Sequence, residues 1–180
     1  KMNEIDEIYK KASSKDVLHI KKFKILKNLK FVEFPKLGLN ELTKIIKKIS
    51  KLEGGLLLID YGYLKPKNIN TLQSLLKHKR NKLLDNLGKA DITSLVNFKL
   101  LNEYFMKNNL KVKKIVTQKF FLEKMGIIER ANILSQKMSF KEQSNLYLRL
   151  KRLLDKKLMG NLFKVIFAYK SKKNNFLGFK

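Results

Sequence analysis

Leu42, Ile45, Ile46, Ile49 and Leu52 recur at the spacing of one helix face. Asn40 precedes them as an N-cap and Glu41 suits the first turn. Gly54 and Gly55 stop the helix. Leu56–Ile59 then forms an unbroken aliphatic run, which predicts a strand buried on both faces of a parallel sheet. The run ends in Asp60-Tyr61-Gly62. Helix, glycine stop, buried strand and polar turn make one αβ unit of a doubly wound sheet. Such sheets bind ligands beyond the carboxyl ends of their strands, which places Asp60 and Tyr61 at a ligand-facing edge.

Upstream, Asn3–Lys15 is polar with weak periodicity, a helix or an arm. Val17–Phe34 alternates apolar and basic residues, which predicts short strands at Phe23–Leu26 and Lys30–Phe34, the second ended by Pro35. Downstream, Tyr63–Gly88 is polar and reads as loop, with a helical piece around Thr71–Leu76. Ala90–Val96 reads as a short strand or turn. Asn97 and Thr117 cap two helices, and Gly126 stops the second. Ile128–Gln136 is helical. Ser139-Phe140-Lys141-Glu142 is a capping box that opens a further helix. Asn161–Tyr169 reads as a last strand. The expected organisation is one domain over residues 1–180, with residues 1–30 an arm or insertion and 170–180 a basic tail in which Phe176, Leu177 and Phe179 pair as an extra edge.

Composition refines this picture. At 180 residues the chain fits one domain or a large part of one. No apolar run approaches the roughly 20 residues of a membrane helix, and the charged start is no signal peptide. The absence of cysteine excludes disulfides, thiolate zinc sites and a cysteine nucleophile, and fits a cytoplasmic protein. The net charge of +26 suggests a nucleic-acid partner. Yet of 41 basic residues only Arg80, Arg130, Arg149 and Arg152 are arginines, the residue that reads phosphates and bases bidentately. The lysines are spread along the chain, and the Lys/Asn/Ile excess resembles drift in an AT-rich bacterial genome. Solvated lysine faces are therefore the preferred reading, ahead of nucleic acid or an acidic partner. The chain opens at Lys1 rather than Met, so a fragment is expected.

Chemistry-bearing motifs are sparse. His19 reads as structural; His78, in a polar loop beside Arg80, is the better functional candidate. There is no metalloprotease, phosphate-loop or nucleophile-elbow motif, no carboxylate pair at helical spacing that demands acid–base chemistry, and no metal site is expected. Asp60 ends an aliphatic strand. It must be bonded, solvated or used, and capping of the following loop and a functional role both stay open.

Several segments recur together in a known order: GGLLLIDYGY at Gly54–Tyr63, then Thr71-Leu72-Gln73, His78, Gly88–Thr93, Thr117-Gln118, Phe121-Leu122, Met125-Gly126-Ile127, Arg130, and Met159-Gly160 before Leu162–Val165. With Glu33-Phe34-Pro35 ahead of them, they resemble the MidA family of methyltransferases, which includes the mitochondrial complex I assembly methyltransferase. The resemblance covers Phe31 to Ala168. It implies an α/β fold: part of a Rossmann-like class I methyltransferase sheet with covering helices and a helical or loop insertion between Tyr63 and Ile115. It also implies S-adenosylmethionine as cofactor and a protein arginine as substrate, in the mitochondrial member a complex I subunit; a eukaryotic relative would be mitochondrial.

The departures are specific. The family's glycine-rich cofactor loop precedes the matched region, so most cofactor-binding residues are absent from this chain, and it is expected to bind S-adenosylmethionine poorly. Lys77 stands where the family has glycine before the histidine, and Leu95 and Asn97 stand in its His-Val-Asp-Phe segment. The catalytic residues stay unassigned. Asp60, Tyr61, Gly62, His78, Asp91 and Thr93 are the expected active-site or substrate face, with Asp60 or Asp91 orienting a guanidinium. The rival readings are a lysine-rich nucleic-acid module, with Tyr61, Tyr63, Tyr104 and Phe105 as exposed stacking aromatics, and a non-catalytic interaction domain.

Overall fold

The computed structural model describes residues 8, 10–65 and 68–180. It begins with helix α1 (Ser14–Lys21), capped by the Ser13 side chain accepting from the Asp16 N–H, and a 3-10 turn at Lys24–Leu26. The alternating pattern of Val17–Phe34 therefore does not make strands. Phe23 precedes that turn, Leu26 ends it, and both plug the main core, so the apolar positions serve a turn instead of a pleat. Helix α2 (Lys36–Leu52) starts ahead of Asn40, directly after Pro35, and buries Leu39, Ile46 and Ile49.

Strand β1 (Gly54–Tyr63) follows a single left-handed residue, Glu53. Next come β2 (Gln73–Leu76), β3 (Lys79–Asn81) and β4 (Asp91–Thr93), a separate small sheet of order β3-β2-β4. The segment read as a helical piece is thus β2. Lys77 and His78, at φ 50° and 64°, close a two-residue hairpin between β2 and β3. That turn needs positive φ at both positions, a demand usually announced by Asn or Gly, and neither is present.

Strand β5 (Val96–Asn97) leads into α3 (Phe98–Lys107), where the Asn97 side chain accepts from the Leu100 N–H. Then come β6 (Lys111–Val112), β7 (Val116–Thr117), α4 (Gln118–Lys124), α5 (Ile127–Ser135), α6 (Phe140–Leu154), α7 (Met159–Leu162) and β8 (Phe163–Lys170). Thr117 caps α4 and the Ser139–Glu142 box caps α6, as their spacing predicts.

The main sheet runs β5-β1-β8-β6, with β7 also paired to β8. The β1–β8 pairing is antiparallel from Gly54↔Lys170 to Tyr61↔Phe163; only Gly62 and Tyr63 pair parallel, with β5. The expectation that β1 is a fully buried parallel strand is therefore corrected. Leu56 and Leu58 pack into the core, whereas Leu57, Ile59 and Tyr61 are 41–42% exposed on the opposite face. Alternation in a pleat sends neighbouring aliphatics to opposite faces, and here only one face is covered.

The core joins α2, α3 and β8 through Leu39, Ile46, Phe98, Phe105 and Ile166. A satellite cluster of Ala131, Leu150 and Leu154 holds α5 against α6. The tail forms no strand: Phe176 and Phe179 lay their rings against Phe167, at 4.8 and 5.9 Å.

Candidate active site

The carboxyl end of β1 is where sheet, insertion and helices meet. Gly62 makes that junction possible. A Cβ there would lie 2.3 Å from the Val96 carbonyl oxygen and 2.5 Å from the Phe98 ring. Only glycine lets β5 run this close to β1.

Asp60 is exposed, and its Oδ1 accepts the Tyr61 N–H at 2.7 Å. Its register partner on β8 is Lys164, whose ammonium turns away to the carbonyls of Asn161 and Leu162. Burial pushes the Lys164 amine below the usual lysine range. The Tyr61 ring packs on Phe163, centroid to centroid 4.0 Å.

A polar clamp sits beside this end. Glu33 accepts from the Thr71 N–H at 2.8 Å and from its hydroxyl at 2.6 Å. The Thr71 Oγ1 in turn accepts the Leu95 N–H at 2.9 Å. The Glu33 carboxylate and the Thr71 hydroxyl together thus fasten three segments: the entry to α2, the approach to β2, and the turn before β5. Burial pushes the Tyr63 phenol above its usual range; the Glu33 charge adds to this, and a hydrogen bond with Asn97 opposes it.

Two cavities flank the clamp. One, of about 520 Å³, opens between α2, β1 and β5; Phe34, Leu42, Leu58 and Val96 line it, with Glu33 and Asn97 among its polar groups. The other, of about 530 Å³, is more polar and touches Thr71, Gln73, Arg80, Asn81 and Leu162. None of the six expected site residues lines either cavity.

Those six fall into separate places. Asp60, Tyr61 and Gly62 are consecutive on β1. Asp91 and Thr93 lie exposed on β4, opposite Leu75 and Gln73, and the Gln73 side chain donates to the Thr93 hydroxyl at 3.3 Å. His78 is exposed at the hairpin tip. Among the described residues no hydrogen bond or ion pair links the β1 residues, His78 and the β4 residues to one another. The sequence marks Thr71 and Glu33 only as members of the motifs Thr71-Leu72-Gln73 and Glu33-Phe34-Pro35, and neither is among the expected site residues. The signal was there: an acid set within the apolar stretch Phe31–Phe34 needs a buried partner.

Of the proposed stacking aromatics, Tyr104 and Phe105 are buried in the core and Tyr63 is half-buried; Tyr61 alone is exposed. That distribution offers no row of open aromatic faces to stacked bases. Among the described residues no cluster of three His, Asp or Glu is placed to hold a metal ion, and no helix is long and apolar enough to cross a membrane.

A family model of S-adenosyl-L-methionine-dependent methyltransferases matches residues 4–116. The chain belongs to that family. Two curated relatives are similar to about half of the chain. The mitochondrial protein arginine methyltransferase NDUFAF7 homolog of Caenorhabditis elegans is 31% identical over 94 residues, 52% of this chain and 22% of that one. The mitochondrial protein arginine methyltransferase NDUFAF7 of Xenopus tropicalis is 31% identical over 98 residues, 54% of this chain and 22% of that one.

Two crystal structures from Burkholderia thailandensis share the fold. The first, an uncharacterised protein, has a TM-score of 0.66 at 20% identity, over 76% of this chain and 38% of that one. The second, solved with S-adenosyl-homocysteine bound, has a TM-score of 0.62 at 21% identity, over 77% of this chain and 38% of that one. The chain therefore spans about a fifth of the curated relatives and under two fifths of the solved ones. The mixed sheet, with its antiparallel β8 inserted beside β1, is the family's Rossmann-like α/β sheet in part.

Proposed function

We propose that this chain forms the substrate-side part of an S-adenosyl-L-methionine-dependent methyltransferase that modifies protein arginine. The family match over residues 4–116 carries the reading. The names of the curated relatives support arginine as acceptor. A respiratory complex I subunit is the finer candidate, from the family resemblance alone.

The reading that most of the cofactor pocket lies outside the described residues has three supports. No glycine-rich turn follows a strand among them, Gly62 is packed against Phe98, and the Glu33 carboxylate is already committed to Thr71. When bound, S-adenosyl-L-methionine supplies an electrophilic methyl group. This chain supplies groups for the acceptor. Asp60 holds an exposed carboxylate at the end of β1, without an ion partner among the described residues, and a carboxylate is the natural bidentate partner of a guanidinium. Asp91 offers a second one on the insertion.

The test uses a protein of the relatives' length, tritiated S-adenosyl-L-methionine and arginine-containing peptides. Label should appear in methylarginine, and Asp60→Asn should lower the rate about a hundred-fold, the scale of a lost positioning contact. Label in lysine or nucleic acid would overturn the acceptor; an unchanged rate would make Asp60 structural. Calorimetry on this chain alone should show no micromolar binding of the cofactor.

A further inference from the structure

Helix α6 is apolar on two sides. Its inner side, with Leu146, Leu150, Leu153 and Leu154, packs against α5. On the outer side Phe140, Ser144, Tyr147, Leu148 and Lys151 recur at the spacing of one helical stripe. Phe140 is 88% exposed, Leu148 62% and Tyr147 48%, and the groove of about 360 Å³ between them is lined by α6 residues alone. Ile133, just ahead of the α5–α6 turn, is exposed as well. This part of the chain lies beyond residues 4–116, the stretch that the family model matches.

The surroundings of the stripe are basic. Lys151 lies within it, Lys141 and Arg152 border Leu148 at helical spacing, and Arg149 follows them around the helix. All four are exposed, and none is in an ion pair among the described residues. The one carboxylate on α6, Glu142, is bound to Ser139 at the cap. Aromatic and aliphatic side chains amid unpaired cations suit the boundary between lipid headgroups and acyl chains. There an aromatic or aliphatic tip enters the acyl region, a tyrosine keeps its hydroxyl among the headgroups, and long basic side chains reach back to phosphate.

The charge of the whole chain selects among polyanions. It is +26 and consists mainly of dispersed lysines, with only four arginines. Nucleic acid is read with arginine forks and open aromatic faces. A layer of anionic headgroups needs neither, because it is a diffuse field that attracts point charges. We propose that the outer face of α6 docks this protein on the surface of an anionic lipid bilayer, with Phe140 and Leu148 inserted and Lys141, Lys151 and Arg152 on the headgroups. The helix lies on the membrane and does not span it, having 15 residues and one packed side. The inference stands whether or not arginine is the methyl acceptor.

The chain has no tryptophan, so Phe140→Trp places a single reporter on the stripe. Phosphatidylcholine vesicles carrying about a third phosphatidylglycerol should shift its emission to the blue, and brominated acyl chains should quench it. Vesicles of phosphatidylcholine alone should do neither. Leu37→Trp, at an exposed site on α2, should stay unshifted. In co-sedimentation, Phe140→Ser/Leu148→Ser and Lys151→Glu/Arg152→Glu should each weaken vesicle binding about ten-fold, and Lys47→Glu/Lys48→Glu on α2 by less than about two-fold. Four results would overturn the proposal: no blue shift with anionic vesicles; an equal shift of both reporters, or an equal shift with polyglutamate or duplex RNA; vesicle binding that both α6 variants retain; or a Phe140→Trp reporter already shielded before vesicles are added to a protein of the relatives' length, which would mean that the same molecule covers the face.

Discussion

Asp60 and Lys164 stand opposite each other on β1 and β8, yet they form no ion pair. The lysine spends its donors on the carbonyls at the end of α7, and the carboxylate bonds only the neighbouring Tyr61 N–H. Asp60→Asn should therefore change the folding stability by no more than about 0.5 kcal/mol, as for other exposed sites without partners. Equilibrium urea unfolding checks this. A loss several times larger would mean that the carboxylate holds the fold and is not reserved for a ligand.

The clamp around Thr71 should behave in the opposite way. Thr71→Val keeps the shape but removes the hydroxyl that donates to Glu33 and accepts from Leu95. It leaves a half-buried carboxylate short of one donor, which costs about 1–3 kcal/mol. The small sheet β3-β2-β4 should also loosen, seen as faster amide exchange at Gln73–Leu76 than in α3. Equal effects on both regions would argue against a local clamp.

The hairpin turn carries a removable strain. Lys77 sits at φ 50°, where a side chain is disfavoured. Lys77→Gly should stabilise the chain by about 0.5–1 kcal/mol, the relief being partly offset by the extra freedom of glycine when unfolded. A rise in the denaturation midpoint is the expected sign.

Acid sensitivity should trace partly to α6. Glu142 accepts the Ser139 hydroxyl and N–H at 2.7 and 2.8 Å, which hold its carboxyl below the usual glutamate range. The folded state thus favours the charged form. Its contribution is present above the ordinary glutamate pKa and is lost as pH falls through the lower folded value. Glu142→Gln can still cap but cannot titrate, so its thermal midpoint should fall less steeply on acidification. Parallel curves for both proteins would remove Glu142 from the account.

What could be read from the sequence was what is local. Asn97, Thr117 and Ser139 announce helices because each cap bonds a residue three positions on. The β2 segment misled because Leu72, Leu75 and Leu76 also fit helical spacing, and because Lys77-His78 gives no turn signal. The one-sided exposure of β1 was invisible for a different reason: Leu56–Ile59 is apolar throughout, and only its partners decide which side chains are covered. At the site, Asp60–Gly62 could be picked out as a strand ending and Glu33 as an acid in an apolar stretch, whereas the partners Thr71 and Leu95 lie far along the chain and carry no local signal.

The same long-range pairing sets when the molecule can form. β1 zips along its length with β8 residues more than a hundred positions later. A ribosome therefore releases Leu56–Ile59 long before the strand that stabilises it exists. Contacts of such separation close slowly, and bare aliphatic strands are sticky while they wait. Assembly of the sheet is thus a late event in the life of the nascent chain, and the stretch most in need of a chaperone is the one that later lies beside Asp60.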